Sequence, residues 1–306
     1  MLFLSAIYNA SVLEYDPYTQ ESKESKIINL PNITGNIDYE VGGIDMDIRT
    51  GSVYITVNAP APFKTDGRNL TGPNRLVRYD TFRQRILWEV DLAGFQDEVL
   101  ARTGQFVSGF QDQAEDPRGN AYILATFGNA IARIDPEGQE VSVFFASGLN
   151  SSILGIAGLF TVGDTLVVSD ARSQGFLVFD TRAKQGVPTK VKPQGEPNVF
   201  GCNDGLTAPS KYGGTVALCS NDKINGTGGI AVYQSWDGWK NAQWKGFILN
   251  NDPVAIGSTP TATVEIAGSI FISEEFFATR GATRPQPRSQ FPFVDITSKV
   301  RDLVGY

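Results

Sequence analysis

A pattern that returns about every fifty residues constrains this chain more than any other feature of its sequence. A short apolar stretch ends in an aromatic or aliphatic residue followed by Asp or Gln, at Tyr15-Asp16, Tyr79-Asp80, Ile134-Asp135, Phe179-Asp180 and Tyr233-Gln234. A second recurring strand follows a glycine turn, at Gly51, Gly119, Gly163, Gly214 and Gly268. With an inner strand before and an outer strand after, each unit has four strands, and radial repetition of such a unit makes a propeller.

The repeat predicts an all-β, six-bladed β-propeller of four-stranded blades, in a single domain over 1–306. Residues 1–30 match the second, third and fourth strands of a unit, and the chain ends with a strand-like segment, 291–296. We therefore expect N- and C-terminal strands to close the ring, in one blade or side by side. Five units, or a β-sandwich, are the alternatives, but sandwich strands do not repeat with this period.

Histidine is absent, which excludes Ser-His-Asp and Cys-His catalysis and removes the commonest zinc ligand. The net charge of −7 argues against a nucleic acid partner, because an acidic surface repels phosphate. No apolar stretch reaches the ~20 residues of a membrane helix. No nucleic acid partner and no membrane span are therefore expected, and the oligomeric state stays open. A small apolar molecule as the partner is an expectation that follows from the family resemblance described below.

The two cysteines, Cys202 and Cys219, fit neither a zinc site nor a CxxC motif, so a disulfide within one blade or two buried thiols are the alternatives. Five triplets fit the glycosylation pattern, and we predict a disulfide together with a secretory or extracellular location. The leader would then be missing from this chain, and a cytosolic protein is the alternative. The five triplets begin at Asn9, Asn32, Asn69, Asn150 and Asn225.

Long loops at equivalent places in the repeat, 58–73, 94–108 and 277–290, predict a functional site on one face. Polar residues at the starts of inner strands and the ends of second strands should point into it. The predicted catalytic residues are Asp112, Asp170, Asp204 and Glu274. The predicted substrate-binding residues are Tyr39, Glu40, Asp45, Phe63, Phe110, Gln111, Asn203 and Glu275. No metal ligand is assigned.

Each of these residues also has a structural interpretation. Asp and Asn at such positions often accept hydrogen bonds from turn amides, and aromatic residues often belong to the core of a blade. As a group, four or more carboxylates facing one cavity require water, a metal or shifted pKa values.

Three segments, 32–44, 63–76 and 109–123, resemble the fungal family named for the fourteenth protein of the trichothecene biosynthetic cluster. The resemblance implies a propeller fold and a secondary-metabolite pathway, but it transfers no catalytic residue. More distantly, the chain is similar to gluconolactonase and regucalcin propellers, which hold a divalent metal with Glu, Asn and Asp. Asn203-Asp204-Gly205 resembles one of their short motifs, without the complete ligand set.

Three functions remain open. The first is a cofactor-independent cyclase or isomerase that acts on a terpenoid or polyketide, since some related fungal propellers act as hetero-Diels–Alderases. Shape and one acidic group suffice for such a reaction. The second is a lactonase-like hydrolase that uses a divalent cation such as Ca²⁺, for which Glu40, Asp112, Asn203, Asp204 and Glu274 could supply oxygen ligands. The third is a non-catalytic binding propeller.

Overall fold

The computed structural model describes residues 1–18, 26–150, 154–195, 202–221, 228–276 and 291–305. They form two compact units, Met1–Gly155 and Ile156–Tyr306, and each unit contains three antiparallel sheets. Six successive sheets confirm the predicted class, an all-β propeller of six blades. That the whole chain is a single domain stays a prediction.

The first unit contains the first three sheets, whose strands pair in chain order. The first sheet comprises β1 (Leu2–Ala6), β2 (Ser11–Tyr15) and β3 (Lys26–Ile28). The second comprises β4 (Glu40–Asp47), β5 (Ser52–Asn58), β6 (Arg75–Asp80) and β7 (Arg85–Asp91). The third comprises β8 (Ser108–Glu115), β9 (Ala121–Phe127), β10 (Ala130–Ile134) and β11 (Val141–Ala146). The helices are α1 (Ala61–Lys64), α2 (Ala93–Thr103) and a short 3-10 helix, Ile7–Asn9.

The second unit repeats this arrangement. Its first sheet comprises β12 (Ile156–Val162), β13 (Thr165–Asp170), β14 (Gly175–Asp180) and β15 (Thr189–Val191). The next comprises β16 (Leu206–Thr207), β17 (Val216–Asn221), β18 (Gly229–Gln234) and β19 (Gln243–Leu249). The last comprises β20 (Thr259–Ile266), β21 (Ser269–Glu275) and β22 (Val294–Asp295). Its helices are α3 (Thr297–Val304) and the 3-10 helices Ser210–Tyr212 and Pro253–Ala255.

Apolar side chains fill the space between neighbouring sheets within each unit. In β5, Val53, Ile55 and Val57 belong to the core shared with the first sheet, whereas Tyr54 belongs to the core shared with the third. Successive side chains of a strand point to opposite faces, so a strand between two sheets is buried on both. This is why the second strands appear in the sequence as nearly continuous apolar runs.

The strands of the two chain ends belong to different sheets. Among the described residues, β1, β2 and β3 pair only with one another, and β22 pairs with β21. Of the two arrangements expected for the chain ends, one blade shared by both does not apply to the described strands, and the closure of the ring by strands side by side stays a prediction. In the last sheet, helix α3 follows β22 where the other sheets continue into an outer strand.

One of the predicted loops is largely a helix. Within 94–108, α2 runs to Thr103, because Phe95 and Val99, four residues apart, are buried together and Gly104 ends the helix with a φ of 71°. The loop 58–73 contains the single turn of α1. The third predicted loop, 277–290, lies outside the described residues.

The innermost strands carry β-bulges at equivalent positions. The pairing register shifts next to Gly43 in β4, at Gln111 in β8, next to Gly158 in β12 and at Thr261 in β20. A bulge twists the strand and re-aims its side chains, and bulges are frequent beside functional sites. At two of these bulges, the carbonyl of the bulged residue approaches a glycine of the neighbouring inner segment, where a side chain would not fit. Gly43 meets the carbonyl of Gln111, and the N–H of Gly205 donates to the carbonyl of Thr261 at 3.0 Å.

Candidate functional site

Each pair of inner and second strands has two ends, which we call the entry edge and the turn edge. At the entry edge the inner strand begins opposite the end of the second strand, as Glu40 lies opposite Asn58. At the turn edge the inner strand ends opposite the start of the second strand, as Asp47 lies opposite Ser52. The sequence predicted the site at the entry edge.

Glu40 and Phe63 do lie at the entry edge of the first unit. Glu40 is the first residue of β4 and forms an ion pair with Lys64 of α1 at 3.0 Å. On the same helix, the ring of Phe63 lies 5.6 Å from that of Phe127, the last residue of β9. Helix α1 therefore extends from the second sheet to the entry edge of the third. Phe63 is partly exposed and available to a ligand.

Two predicted substrate-binding aromatics belong to the core instead. Phe110 is fully buried, with its ring 5.9 Å from that of Phe95. Tyr39 is buried in the core between the first two sheets, and the Arg75 guanidinium lies 5.7 Å from the centre of its ring. Both side chains therefore pack in a core, as the structural interpretation expects.

Gln111 and Asp112 lie at the bulge of β8. They are the fourth and fifth residues of that strand rather than its start. The Asp112 carboxylate accepts a hydrogen bond from the N–H of Gln113 at 3.0 Å, and both predicted residues are partly exposed. The bulge thus affects the direction of the Asp112 side chain, which was predicted to act as an acid.

In the second unit, the predicted residues lie at the entry edges of their own sheets. Asp170 ends β13 opposite Ile156, and its carboxylate accepts the N–H of Arg172 at 3.1 Å, which is typical of an Asx turn. Asn203 and Asp204 precede β16, and both of their N–H groups donate to the carbonyl of Ser220, at 3.2 and 3.3 Å.

Glu274 and Glu275 end β21, where they lie opposite Pro260 and Thr259. Both residues are partly exposed. They therefore occupy the second-strand end that the sequence predicted for them.

The predicted disulfide between Cys202 and Cys219 is confirmed. The two Cα atoms lie 5.3 Å apart, and both cysteines are fully buried in the core that contains Trp239. Because Cys202 directly precedes Asn203 and Asp204, the bond attaches this predicted site segment to β17.

Asp45 lies towards the opposite edge from the one that the sequence predicted. It is the sixth residue of β4, close to the turn edge, and it lies opposite Tyr54. Its carboxyl interacts electrostatically with that of Glu115, the last residue of β8. Sequence reasoning missed Glu115, although Gln111, Gln113 and Glu115 alternate along β8 with the period of a strand.

The two carboxyl groups differ in their surroundings. Glu115 is buried, and desolvation raises its pKa well above the usual range, with the negative charges of Asp45 and Asp47 raising it further. Asp45 is exposed as a residue, but desolvation by the protein around its carboxyl raises its pKa as well. The surroundings therefore favour the neutral form of both carboxyl groups relative to isolated ones.

The neighbouring acids at the turn edge are neutralised by arginine. The Arg49 guanidinium lies 2.9 Å from the Asp47 carboxylate, and that of Arg118 lies 2.6 Å from Asp116. Burial acts to raise the pKa of Asp47, but the hydrogen bonds from Arg49 and Thr50 outweigh it and lower the pKa. The charges around the Asp45–Glu115 pair are therefore held in fixed positions.

The structure leaves three other sequence predictions untested. Asn9, Asn32, Asn69 and Asn150 are exposed, as a glycosylated residue must be, whereas Asn225 lies outside the described residues. Within the described ranges, no three His, Cys, Asp or Glu side chains are grouped so that they could hold a metal ion. A search of the same residues for a helix long and apolar enough to cross a membrane finds none.

Comparison with known proteins places the chain in a family. A family model described as Mal s 1 allergenic protein-like matches residues 1–251. The chain belongs to this family.

The fold of the chain is similar to that in the crystal structure of Mala s 1, an allergen of Malassezia sympodialis. The TM-score is 0.76 at 18% identity, over 96% of this chain and 88% of the allergen. A nidogen/laminin complex contains a similar fold, with a TM-score of 0.55 at 11% identity over 89% of this chain and 84% of that one.

Two relatives of this Mal s 1-like chain are similar over nearly its whole length. Trichothecene biosynthesis protein 14 of Trichoderma arundinaceum is 26% identical, over 99% of this chain and 84% of the relative. Core trichothecene cluster protein 14 of Fusarium sporotrichioides is 27% identical, over 97% of this chain and 79% of the relative. The resemblance found in the three sequence segments therefore extends along the chain.

Proposed function

We propose that the chain acts in the biosynthesis of a secondary metabolite, as a cofactor-independent cyclase or isomerase of a terpenoid or polyketide intermediate. The observation that carries the proposal is the similarity, over almost the entire chain, to two proteins named for trichothecene biosynthesis. A chain without histidine can still catalyse ring closure, because a rigid site that holds a reactive conformer and one acidic group supply what the reaction requires.

The predicted acids divide between the two units. Asp112 lies at a bulge in the first unit, and Asp170, Asp204 and Glu274 lie at entry edges in the second. Each is a candidate for the group that polarises a carbonyl, an enone or an epoxide. Glu40, Phe63, Gln111, Asn203 and Glu275 are candidates for contacts that orient the substrate.

The test begins with the intermediate that accumulates when the gene is deleted in the producing organism. The purified protein is incubated with that intermediate in buffer containing a chelator, and the products are identified by mass spectrometry and NMR. We expect an isomer of unchanged mass. A product heavier by one water, formed only without chelator, would identify the metal-dependent hydrolase instead. Tight binding without conversion would identify a non-catalytic propeller.

The disulfide supports a second, separate proposal, that the chain folds in the secretory pathway or outside the cell. Disulfides form and persist in oxidising compartments and are rare in the cytosol. Protein purified from its native host should therefore carry glycans on the exposed asparagines and should lose mass when treated with an amidase that removes N-linked glycans. An unchanged mass together with two free thiols would identify a cytosolic protein.

A further inference from the structure

An apolar groove lies between the outer strand β19 and helix α3 of the second unit. Its volume is about 350 Å³. The residues that line it include the apolar Phe247, Leu249 and Leu303 and the polar Asn251, Lys299 and Asp302. We propose that this groove binds a second copy of the chain, which inserts its exposed turn 253–256, and that the two copies form a dimer with twofold symmetry.

Close packing of α3 against β19 fixes the shape of the groove. Gly246 lies against Leu303, and a Cβ atom at Gly246 would be only 2.6 Å from a methyl carbon of that leucine. Elsewhere on α3, Val300 and Val304 are buried in the core that also contains Ile248 of β19. The groove is therefore a formed feature of the folded unit.

The groove leaves apolar side chains accessible to solvent. Leu249 is exposed, and Phe247 and Leu303 are only partly buried. Lys299 and Asp302 lie four residues and one residue before Leu303 on α3, and both are exposed where they border the groove. An exposed apolar patch with a polar border is typical of a surface that binds a partner.

The exposed turn presents two aliphatic side chains on an ordered support. Val254 and Ile256 are both exposed, Ile256 to 77%. Between them, Ala255 is buried in the same core as α3. The Asp252 carboxylate accepts the N–H of Val254 at 3.0 Å, and the N–H of Ser258 donates to the Ala255 carbonyl at 2.9 Å. Since the turn is already ordered, little conformational entropy is lost when a partner covers it.

A second copy of the chain supplies the apolar element that the groove lacks. The turn and the groove share one core, and both are exposed in a single copy, so the turn does not fill the groove of its own chain. In a twofold interface each contact occurs twice, with the same two patches in exchanged roles. The turn of each copy can therefore enter the groove of the other.

The charges at the two patches are complementary. Within the described residues, Lys299 at the groove forms no ion pair, and Asp252 beside the turn has no cationic partner. Asp302, the acid at the groove, lies 3.5 Å from Arg301 of its own chain. Inserting the turn brings the unpaired acid of one copy towards the unpaired cation of the other, and such complementarity favours this partner and this register.

The first measurement is the mass of the whole chain in solution, by sedimentation velocity over a wide range of protein concentration. We expect the mass to rise with concentration from the 33.2 kDa of one chain to twice that value and no further. A protein that keeps the mass of one chain at every concentration overturns the inference. A mass that continues to rise beyond two copies also overturns it, because a twofold contact closes after two.

Two substitutions disable the turn and the groove separately. Ile256→Glu places a charge on the turn, and Leu249→Lys places one in the groove. Each variant loses the contact at both of its occurrences, so the association constant of the dimer should fall by about 10²-fold or more. Leu249→Lys also changes the net charge of the chain from −7 to −6, which reduces the general repulsion between copies, so weaker association of this variant has to come from the groove.

An equimolar mixture of the two variants tests the reciprocal geometry. The Leu249→Lys chain keeps an intact turn, and the Ile256→Glu chain keeps an intact groove, so one of the two contacts is restored. The other contact brings the introduced acid next to the introduced amine. We expect the mixture to form dimers at concentrations at which neither variant does so alone. A mixture that keeps the mass of one chain under these conditions refutes the reciprocal contact.

Val187→Glu is the matched control, because Val187 is an apolar residue of the same unit that is 81% exposed and does not line the groove. This variant should dimerise as the wild type does, and circular dichroism should show that every variant is folded. If Leu249→Lys does not fold, Lys299→Glu takes its place, since Lys299 is exposed and the new acid would face Asp252 of the second copy. Wild-type dimers that neither the turn nor the groove substitution weakens overturn the inference.

Discussion

Breaking the Cys202–Cys219 bond should destabilise the second unit by an amount that follows from the loop it closes. The cysteines are 17 residues apart in the sequence. In the chain-entropy account, a cross-link over a loop of this length stabilises the folded state by about 3 kcal/mol, because it restricts the unfolded chain. That is a large part of the roughly 5–15 kcal/mol by which a typical protein is stable.

The expected shift in melting temperature follows from the size of the protein. The entropy of unfolding is about 2 cal/mol/K per residue, so for a chain of 306 residues that unfolds as one cooperative unit, a loss of about 3 kcal/mol lowers Tm by about 5 °C. The assay is calorimetry or circular dichroism on the wild type with and without a thiol reductant, and on the double variant Cys202→Ala, Cys219→Ala. The reductant should destabilise the wild type and leave the variant unaffected.

Comparing the double variant with the reduced wild type separates the loss of the cross-link from the loss of packing by the sulfur atoms. Both cysteines are fully buried beside Trp239, so the variant also loses the packing of two sulfur atoms and should melt below the reduced wild type. The reasoning is refuted if the wild type, with both thiols shown to be free, melts at the same temperature as the oxidised protein. Two titratable thiols in the unfolded, unreduced protein would refute the bond itself.

Three further predictions concern the inner strands and the core. Because the pKa of Glu115 is raised in the native state, the free energy of unfolding should fall by up to about 1.4 kcal/mol per pH unit between about pH 4.5 and the raised pKa, and Glu115→Gln should reduce this fall in urea titrations. Gly43→Ala should cost about 1–3 kcal/mol in the same assay, because its methyl group meets the Gln111 carbonyl, whereas alanine at Gly94, where nothing lies within 4 Å, should have no such cost. Trp239→Ala should cost about 3–5 kcal/mol, since the indole is fully buried and donates to the Gly214 carbonyl at 2.8 Å, and a loss below 1 kcal/mol would contradict the packing described.

The strands were predictable because their signals are local. A run such as Ser52–Asn58 after a glycine turn indicates a buried strand, and the residue pattern that ends at Tyr79-Asp80 indicates the next one. Helix α2 was not predictable in the same way, because Gly94 stands near its start and only Phe95, Gln96 and Val99 are buried on its inner face. Its formation depends on packing against sheets that are distant in the sequence.

The candidate site was predictable only in part. The entry-edge positions of Glu40, Asp170 and Glu274 follow from the strand order, which the repeat predicts. The Asp45–Glu115 pair joins two inner strands separated by about seventy residues, and a bulge in each strand changes which side chains meet. A bulge adds one residue to one strand, and the sequences of these inner strands did not show where that residue lies.

The glycines of the inner strands have a consequence for how this family can vary. Where the Gln111 carbonyl meets Gly43, and the Thr261 carbonyl meets Gly205, backbone lies against backbone and no side chain can be added. In a library of random substitutions, Gly43 and Gly205 should tolerate almost no other residue, whereas exposed positions of the outer strands should tolerate most residues. Variation can therefore occur at the residues next to these two bulges, such as Asp112 and Ala262, whereas the spacing between the inner segments stays fixed at the two glycines.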